Sequence, residues 1–263
     1  MADLLARHGF VAAAEEAREL VTGAGGDRAV LDAMVRRRLR GEPLAWITGS
    51  VAFCGQTVRV DPGVYVPRWQ SEPLAERAAE RLPATGAAVD LCTGSGALAM
   101  VLGVARPGAR VVASELDGRA LACARANGVE VYGGDLFAPL PAELAGAVDV
   151  VVGVVPYVPS AALALLPRDT LAFEGPFAYD GGPDGLEVVR RVVAGAVAWL
   201  RPGGALLLEV GGDQAPVLTE VLGARGYEDV EVRRDDDGDV RAVEATLAGA
   251  RHRRPGTAPV VPT

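Results

Sequence analysis

Val89-Asp90-Leu91-Cys92-Thr93-Gly94-Ser95-Gly96-Ala97-Leu98-Ala99 decides the fold of this chain. An apolar strand, Ala87–Leu91, runs into a turn of small residues and then into an apolar helix, Ala97–Ala105. Gly94 and Gly96 let the backbone bend tightly and approach a ligand without a Cβ in the way. Downstream the rhythm repeats, with strands at Arg110–Ser114 and Val129–Tyr132 around a helix at Gly118–Asn127. Val148–Gly153 is a nearly continuous Val run, which suits a strand buried on both faces of a parallel sheet. Gly185–Leu200 is an amphipathic helix stopped by Arg201-Pro202-Gly203-Gly204. Strand Ala205–Val210 and helix Gln214–Arg225 follow. Asp229–Arg233 and Val240–Thr246 pair around Asp235-Asp236-Asp237-Gly238 as an antiparallel hairpin. The alternation predicts an α/β fold: a doubly wound, mostly parallel sheet with an antiparallel last strand.

Upstream of the motif the pattern differs. Leu4 to Arg40 reads as two Ala-rich helices broken at Gly23-Ala24-Gly25-Gly26, too small to bury a core alone. Ala52–Val60 reads as a hairpin around Gly55, and a helix is expected from Ser71 to Leu82. The organisation expected is a helical N-terminal domain (1–50), a hairpin linker (51–70), the α/β domain (71–250) and a disordered Pro- and Arg-rich tail (251–263).

Composition excludes several chemistries. All 26 basic residues among the 263 are Arg, so no Schiff-base or Walker-A lysine is possible. The two His, His8 and His252, lie near the chain ends, which argues against a Ser-His-Asp triad or an HExxH zinc helix. A net charge of −8 would repel nucleic acid. The run Arg36, Arg37, Arg38 and Arg40 is read as the solvated end of a helix, where cations suit the dipole. Cys54, Cys92 and Cys123 have neither disulfide nor metal-ligand spacing. No apolar run of about 18 residues could span a membrane, and no basic leader opens the chain. A cytoplasmic monomer is expected.

By itself the glycine turn is a weak signal, because Gly94-x-Gly96-x-x-Ala99 also satisfies the dinucleotide fingerprint. The acids around it narrow the choice. Glu115 ends the second strand, where a carboxylate can bond both hydroxyls of a ribose, and Asp135 ends the third, beside an adenine. Asp90 precedes the loop; it would repel a pyrophosphate and favour the ammonium of a methionine-like cofactor. Three acids at successive strand ends suit S-adenosylmethionine better than NAD.

Beyond this loop the chain resembles the HemK/PrmC family of class I methyltransferases. The similarity runs through Arg40-Gly41-Glu42-Pro43-Leu44-Ala45-Trp46-Ile47-Thr48-Gly49 and Asp61-Pro62-Gly63-Val64-Tyr65-Val66-Pro67-Arg68. It continues through Pro156-Tyr157-Val158-Pro159, Ala164-Leu165-Leu166-Pro167, Asp180-Gly181-Gly182-Pro183-Asp184-Gly185-Leu186 and Pro202–Gly211. The resemblance implies methylation of the glutamine side-chain amide in the Gly-Gly-Gln motif of peptide release factors. It implies a class I, Rossmann-like fold and a helical N-terminal segment that presents the protein substrate. Cys92, Thr93, Gly94, Ser95 and Gly96 would carry the methionine end of S-adenosylmethionine. Glu115 would hold the ribose, and Asp135 with Leu136 would border the adenine. Val154, Val155, Pro156 and Tyr157 stand in the place of the family's catalytic loop.

Two segments depart from the pattern. The family loop is Asn-Pro-Pro-Tyr, and after Pro67-Arg68 the family has Pro-Glu-Thr where this chain has Trp69-Gln70-Ser71. An amide nitrogen is a poor nucleophile; the family's Asn oxygen and a backbone carbonyl accept its two N–H bonds and aim it at the methyl group. Val154 offers no acceptor, while the backbone carbonyl near Val155 remains. One unpaired N–H costs ~1–3 kcal/mol, roughly one to two orders of magnitude in rate. The single Asn, Asn127, is expected at a helix C-terminus, away from this loop. Gln70 is the candidate to replace the missing carbonyl; the plainer reading has Gln70 and Trp69 packed at a surface. Trp46 and Trp199 are read as packing residues. Three alternatives stay open: an inactive S-adenosylmethionine-binding paralogue, a methyltransferase for nucleic acid or a small molecule, and, weakest, a dehydrogenase.

Overall fold

The computed structural model describes residues 1–166 and 168–249. The expected disordered tail, 251–263, and Pro167 of the Ala164–Pro167 segment lie outside the described residues. The chain opens with four helices: α1 (Ala2–Arg7), α2 (Ala13–Gly23), α3 (Arg28–Leu39) and α4 (Leu44–Thr48). A hairpin follows, β1 (Ser50–Phe53) and β2 (Gln56–Arg59), then α5 (Glu72–Arg81). The α/β part runs β3 (Ala87–Leu91), α6 (Ala97–Ala105), β4 (Arg110–Glu115), α7 (Gly118–Ala126), β5 (Glu130–Gly133) and β6 (Val148–Gly153). It ends with α8 (Arg168–Glu174), α9 (Glu187–Trp199), β7 (Leu200–Glu209), α10 (Ala215–Ala224), β8 (Tyr227–Arg234) and β9 (Val240–Leu247).

The seven-stranded sheet has the order β5-β4-β3-β6-β7-β9-β8. β3 to β7 pair in parallel, and β9 is antiparallel to both β7 and β8. This is the mostly parallel α/β fold that the sequence predicts. From central β3 the chain steps outward to β4 and β5, then crosses back to β6 and β7. The reversal opens a crevice at the carboxyl ends of β3, β4 and β6, where open α/β sheets bind ligands.

Both faces of the sheet are covered, as the Val run requires. One face packs Val89, Val151, Leu206 and Leu208 against Val189, Val192 and Val193 of α9 and Leu218 and Leu222 of α10. The other packs Ala88, Val150, Val152 and Leu207 against α5, α6 and α7. Phe53, Val58 and Val60 belong to this second core, so the hairpin expected as a linker is part of the sheet's own packing. Trp46 joins it as a packing residue, its indole N–H donating to the Val64 carbonyl at 2.9 Å. Trp199 stacks on Phe137 with 5.8 Å between ring centroids.

Two readings of the N-terminal segment need correction. The stretch Leu4 to Arg40 holds three helices rather than two, because Gly9 (φ +86°) breaks it as well, and α4 follows beyond Gly41 (φ +92°). They share a small core of Leu5, Leu20, Met34 and Ile47. The Arg run does end α3, with Arg36, Arg37 and Arg38 in its last turn and Arg40 as C-cap; Arg36 and Arg40 are exposed as expected, but Arg37 and Arg38 are not solvated cations. Arg38 pairs with Glu16 at 2.6 Å and lies over the Phe10 ring, and Arg37 pairs with Glu42 at 2.5 Å. The Arg38 guanidinium ties α3 to α2, and that of Arg37 ties α3 to the loop before α4. No helix among the described residues is long and apolar enough to cross a membrane.

Candidate active site

A cavity of about 1360 Å³ opens at the carboxyl ends of β3, β4 and β6. Every candidate site residue read from the sequence lines it except Gly96. Gly96 (φ +90°) caps α6 instead, and a Cβ there would meet Val129 Cγ2 at 2.7 Å. Gly94 (φ +59°) faces open space, which leaves the turn's backbone bare toward the cavity.

The turn is held by the acids that the sequence assigned to a ligand. Asp90 is fully buried and accepts from the Thr93 hydroxyl at 2.5 Å and the Ala99 N–H at 3.2 Å. Burial, partly offset by these two bonds, pushes its carboxyl up to about 7. Glu115 accepts from the Gly94 N–H at 2.8 Å, and from the N–H groups of Leu116 and Asp117 at 2.8 and 2.9 Å. Its carboxyl is also raised by burial, against the pull of those three N–H groups. Glu115 thus shapes the turn as well as facing the cavity. Asp135 pairs with Arg191, whose helix α9 brings it across to the strand end. Burial pushes the Cys92 thiol up, so it is protonated and not a nucleophile at neutral pH. The lone Asn127 is at the C-terminus of α7, as expected; its side-chain amide donates to Ser95 O at 2.8 Å and Arg59 O at 2.9 Å. It ties the hairpin to the turn and takes no part in the acceptor loop.

The residues fit an S-adenosylmethionine-like ligand. Ser95 Oγ and Ser114 Oγ are buried with no hydrogen-bond partner among the described residues, and both belong to the cavity wall. Orphaned hydroxyls call for a polar ligand group. Asp90, Glu115, Asp117 and Asp135 line the same half, which favours a cationic ligand and opposes the pyrophosphate of a dinucleotide.

Across the cavity lies the loop after β6, Val154-Val155-Pro156-Tyr157. Val154 packs against the apolar cluster that holds Val66 and Trp46. The loop is gripped from behind by Asp180–Leu186. Val158 N–H donates to Tyr179 O at 2.8 Å, and Gly181 N–H donates to Val158 O at 2.9 Å. A Cβ on Gly181 would fall 2.8 Å from Pro156 O, and one on Gly185 would fall 2.2 Å from Tyr157 O. These contacts explain the glycines of the segment: only bare backbone can approach the loop so closely. Gln214 completes the grip, donating to Tyr157 O at 2.7 Å.

Sequence reasoning missed a third wall. Arg68 pairs with the fully buried Glu174 carboxylate at 2.6 Å and donates to the Tyr179 hydroxyl at 3.2 Å. Tyr179 also donates to Glu174, and Val66 N–H does so at 3.1 Å. The ring of Tyr65 meets that of Tyr179 edge-on. Burial works against the Arg68 charge, yet Glu174 and the two tyrosines hold its pKa above the ordinary value. Glu209, at the end of β7, accepts from Ser71 Oγ at 2.5 Å and from Tyr157 Oη at 2.9 Å. An acid closing a run of buried strand residues was a legible signal for Glu209; the Arg68–Glu174 pair, 106 residues apart, had none. The surface reading of Trp69-Gln70 divides: Trp69 is exposed, whereas Gln70 lines the cavity and makes no side-chain hydrogen bond with the described residues.

No family model matches the chain. Over 225 residues it is 41% identical to the release factor glutamine methyltransferase of Mycolicibacterium smegmatis, covering 83% of this chain and 79% of the relative. The enzyme of the same name from Geobacter sulfurreducens is 36% identical over 80% of this chain and 75% of its own. Among solved structures, one resembling it is the E. cuniculi Mtq2–Trm112 complex, which methylates the translation termination factor eRF1. It aligns with a TM-score of 0.52 at 26% identity, over 71% of this chain and 99% of that one.

Proposed function

The chain belongs to the release factor glutamine methyltransferases, and on that premise we propose that its strand-end cavity joins S-adenosylmethionine to the Gly-Gly-Gln glutamine of a peptide release factor. The activity is transfer of a methyl group to the side-chain amide nitrogen, with loss of a proton. One observation carries the assignment of the site: the glycine turn with Glu115 and the loop Val154–Tyr157 face each other across a single cavity.

When bound, S-adenosylmethionine supplies an electrophilic methyl group on a positively charged sulfur. The chain's own residues provide binding and aim. Gly94, Ser95 and Ser114 offer the polar contacts of the turn, Glu115 holds the ribose hydroxyls, and Asp135 with Leu136 borders the base. On the acceptor side the Val155 carbonyl, which accepts no hydrogen bond from the described residues, takes one amide N–H. Pro156 and Tyr157 wall the slot and exclude water, which strengthens that bond. Val154 presents an apolar surface to the second N–H. This lowers the rate by roughly 5- to 150-fold relative to an Asn, from the ~1–3 kcal/mol of one unpaired donor, and leaves the reaction intact.

The helices of residues 1–50, with their own small core, form the surface that presents the release factor, and residues 71–250 carry the chemistry. The net charge of −8 supports a protein over a nucleic-acid substrate, and the enzyme acts as a cytoplasmic monomer. The test is incubation with radiolabelled S-adenosylmethionine and a release factor beside its Gly-Gly-Gln Gln→Ala version. Label on the first alone is expected; label on both, or on neither, refutes the reading.

A further inference from the structure

The two lips of the acceptor slot are far apart in sequence and meet on one carboxylate. Glu209 ends β7 inside the sheet and is buried. One of its oxygens takes the Ser71 hydroxyl at 2.5 Å, and the other takes the Tyr157 hydroxyl at 2.9 Å. Ser71 closes the strap Tyr65–Gln70, whose Tyr65, Pro67, Arg68 and Gln70 line the cavity; Tyr157 belongs to the loop opposite. The strap has no strand to hold it, and the loop begins where β6 stops. A rigid strand end between them reaches both, beside Tyr179, which takes Arg68 of the strap on its hydroxyl and the Val158 N–H after the loop on its carbonyl.

We propose that Glu209 is a positioning residue that sets the width of the acceptor slot by holding the strap through Ser71 and the catalytic loop through Tyr157. This rests on the reading of Val154–Tyr157 as the acceptor loop. Glu209 does not touch the amide; it acts through Tyr157. Burial raises its carboxyl, and the two hydroxyl donors, with the Arg241 guanidinium nearby, oppose that rise. Each hydroxyl donates to its own carboxyl oxygen, at 2.5 and 2.9 Å, so the two bonds hold the strap and the loop in fixed directions. Misplacement of a reacting group by about 1 Å costs on the order of 100-fold in rate, so a slot held on both sides by one group is sensitive to that group.

The test compares Ser71→Ala, Tyr157→Phe, their double variant, Glu209→Ala and Glu209→Gln with the unmodified protein. Amide hydrogen exchange is read over residues 66–71 and 154–158, together with S-adenosylmethionine affinity, kcat and KM for the release factor. Ser71→Ala, at the strap, is expected to raise exchange in both segments. Its kcat should fall about tenfold, with cofactor affinity within about twofold. Tyr157→Phe should do the same from the other side. The double variant should be no worse than the product of one of them and a small remainder, because both remove the same link. Glu209→Gln keeps an acceptor and a donor and should recover most of the rate lost in Glu209→Ala. Exchange in Ser71→Ala confined to 66–71, or multiplicative kcat losses in the double variant, would overturn the proposal. Hydrogen exchange needs no turnover, so absence of methyl transfer in the unmodified protein would sink the acceptor reading while the link itself is still decided.

Discussion

Replacing Gly185 by Ala is the sharpest test of how the acceptor loop is held. The added Cβ would lie 2.2 Å from Tyr157 O and 2.3 Å from Gln214 Nε2, astride the 2.7 Å bond between them. Neither neighbour can step aside cheaply, because one is backbone and the other is also bonded to Gly211 N–H at 2.9 Å. Gly185 has φ +74°, and a non-glycine residue in that region costs about 1–3 kcal/mol. Relief of the overlap by backbone movement costs about 1–3 kcal/mol more, and the Gln214 bond about 1 kcal/mol. A total of at least about 3 kcal/mol corresponds to a fall of roughly 6–12 °C in melting temperature for a domain of this size. If the loop yields instead, Tyr157 moves and kcat falls by about 100-fold. Differential scanning calorimetry and single-turnover methyl transfer measure the two routes. Gly223→Ala in α10, where a Cβ would meet nothing within 4 Å, is the control and should be neutral or stabilising by about 0.4–1 kcal/mol. A Gly185→Ala protein that melts within about 2 °C of the original and keeps its rate would refute the grip.

Val154→Asn should raise kcat by about 5- to 150-fold, the worth of one restored acceptor, and lower stability because Val154 packs on an apolar cluster; an unchanged kcat in single-turnover assays would show that the second N–H already has a partner. Gln70→Ala identifies that partner: a tenfold or greater loss of kcat is expected if the free Gln70 amide serves it, and an unchanged rate removes Gln70 from the slot. Glu115→Ala removes the acceptor of three backbone N–H groups and the group assigned to the ribose, so calorimetric S-adenosylmethionine affinity should fall by at least about tenfold; equal affinity would strike Glu115 from the site. Asp90 titrates at about 7 when folded against an ordinary 3.8, so between those values the folded chain holds a proton that the unfolded chain has released. Its stabilising contribution is present below about pH 4 and lost as pH rises through 7, at up to ~1.4 kcal/mol per pH unit. Urea midpoints should therefore fall from pH 5 to pH 7.5, and Asp90→Asn should flatten that slope; parallel slopes for the two proteins would contradict the assignment.

The glycine turn, the mostly parallel sheet and the buried Val run were legible because they depend on local periodicity and on two glycines where the backbone must bend. Parallel strands bring their carboxyl ends to one edge of the sheet, so the sequence alone put Asp90, Glu115 and Asp135 at successive strand ends and the loop at Val154 after the next strand. The absence of Lys excluded Schiff-base and Walker-A chemistry, and the positions of both His argued against a Ser-His-Asp triad or an HExxH zinc helix, before any coordinates were needed; transfer from a sulfonium fits within that limit. What the side chains do was decided only in three dimensions. Asp90 and Glu115 spend hydrogen bonds on the turn itself, which no spacing announces. Arg38 looked like a solvated cation until Glu16 and Phe10 were folded onto it. Arg68 meets Glu174 106 residues away, and Glu209 meets Ser71 and Tyr157 138 and 52 residues away; a pairing at such distances leaves no local pattern because loop closure, not neighbour spacing, brings the groups together. Val154 shows both sides of this division: its identity was plain in the chain, and its meaning depends on whether Gln70, delivered by a strap anchored on Glu209, reaches the same amide.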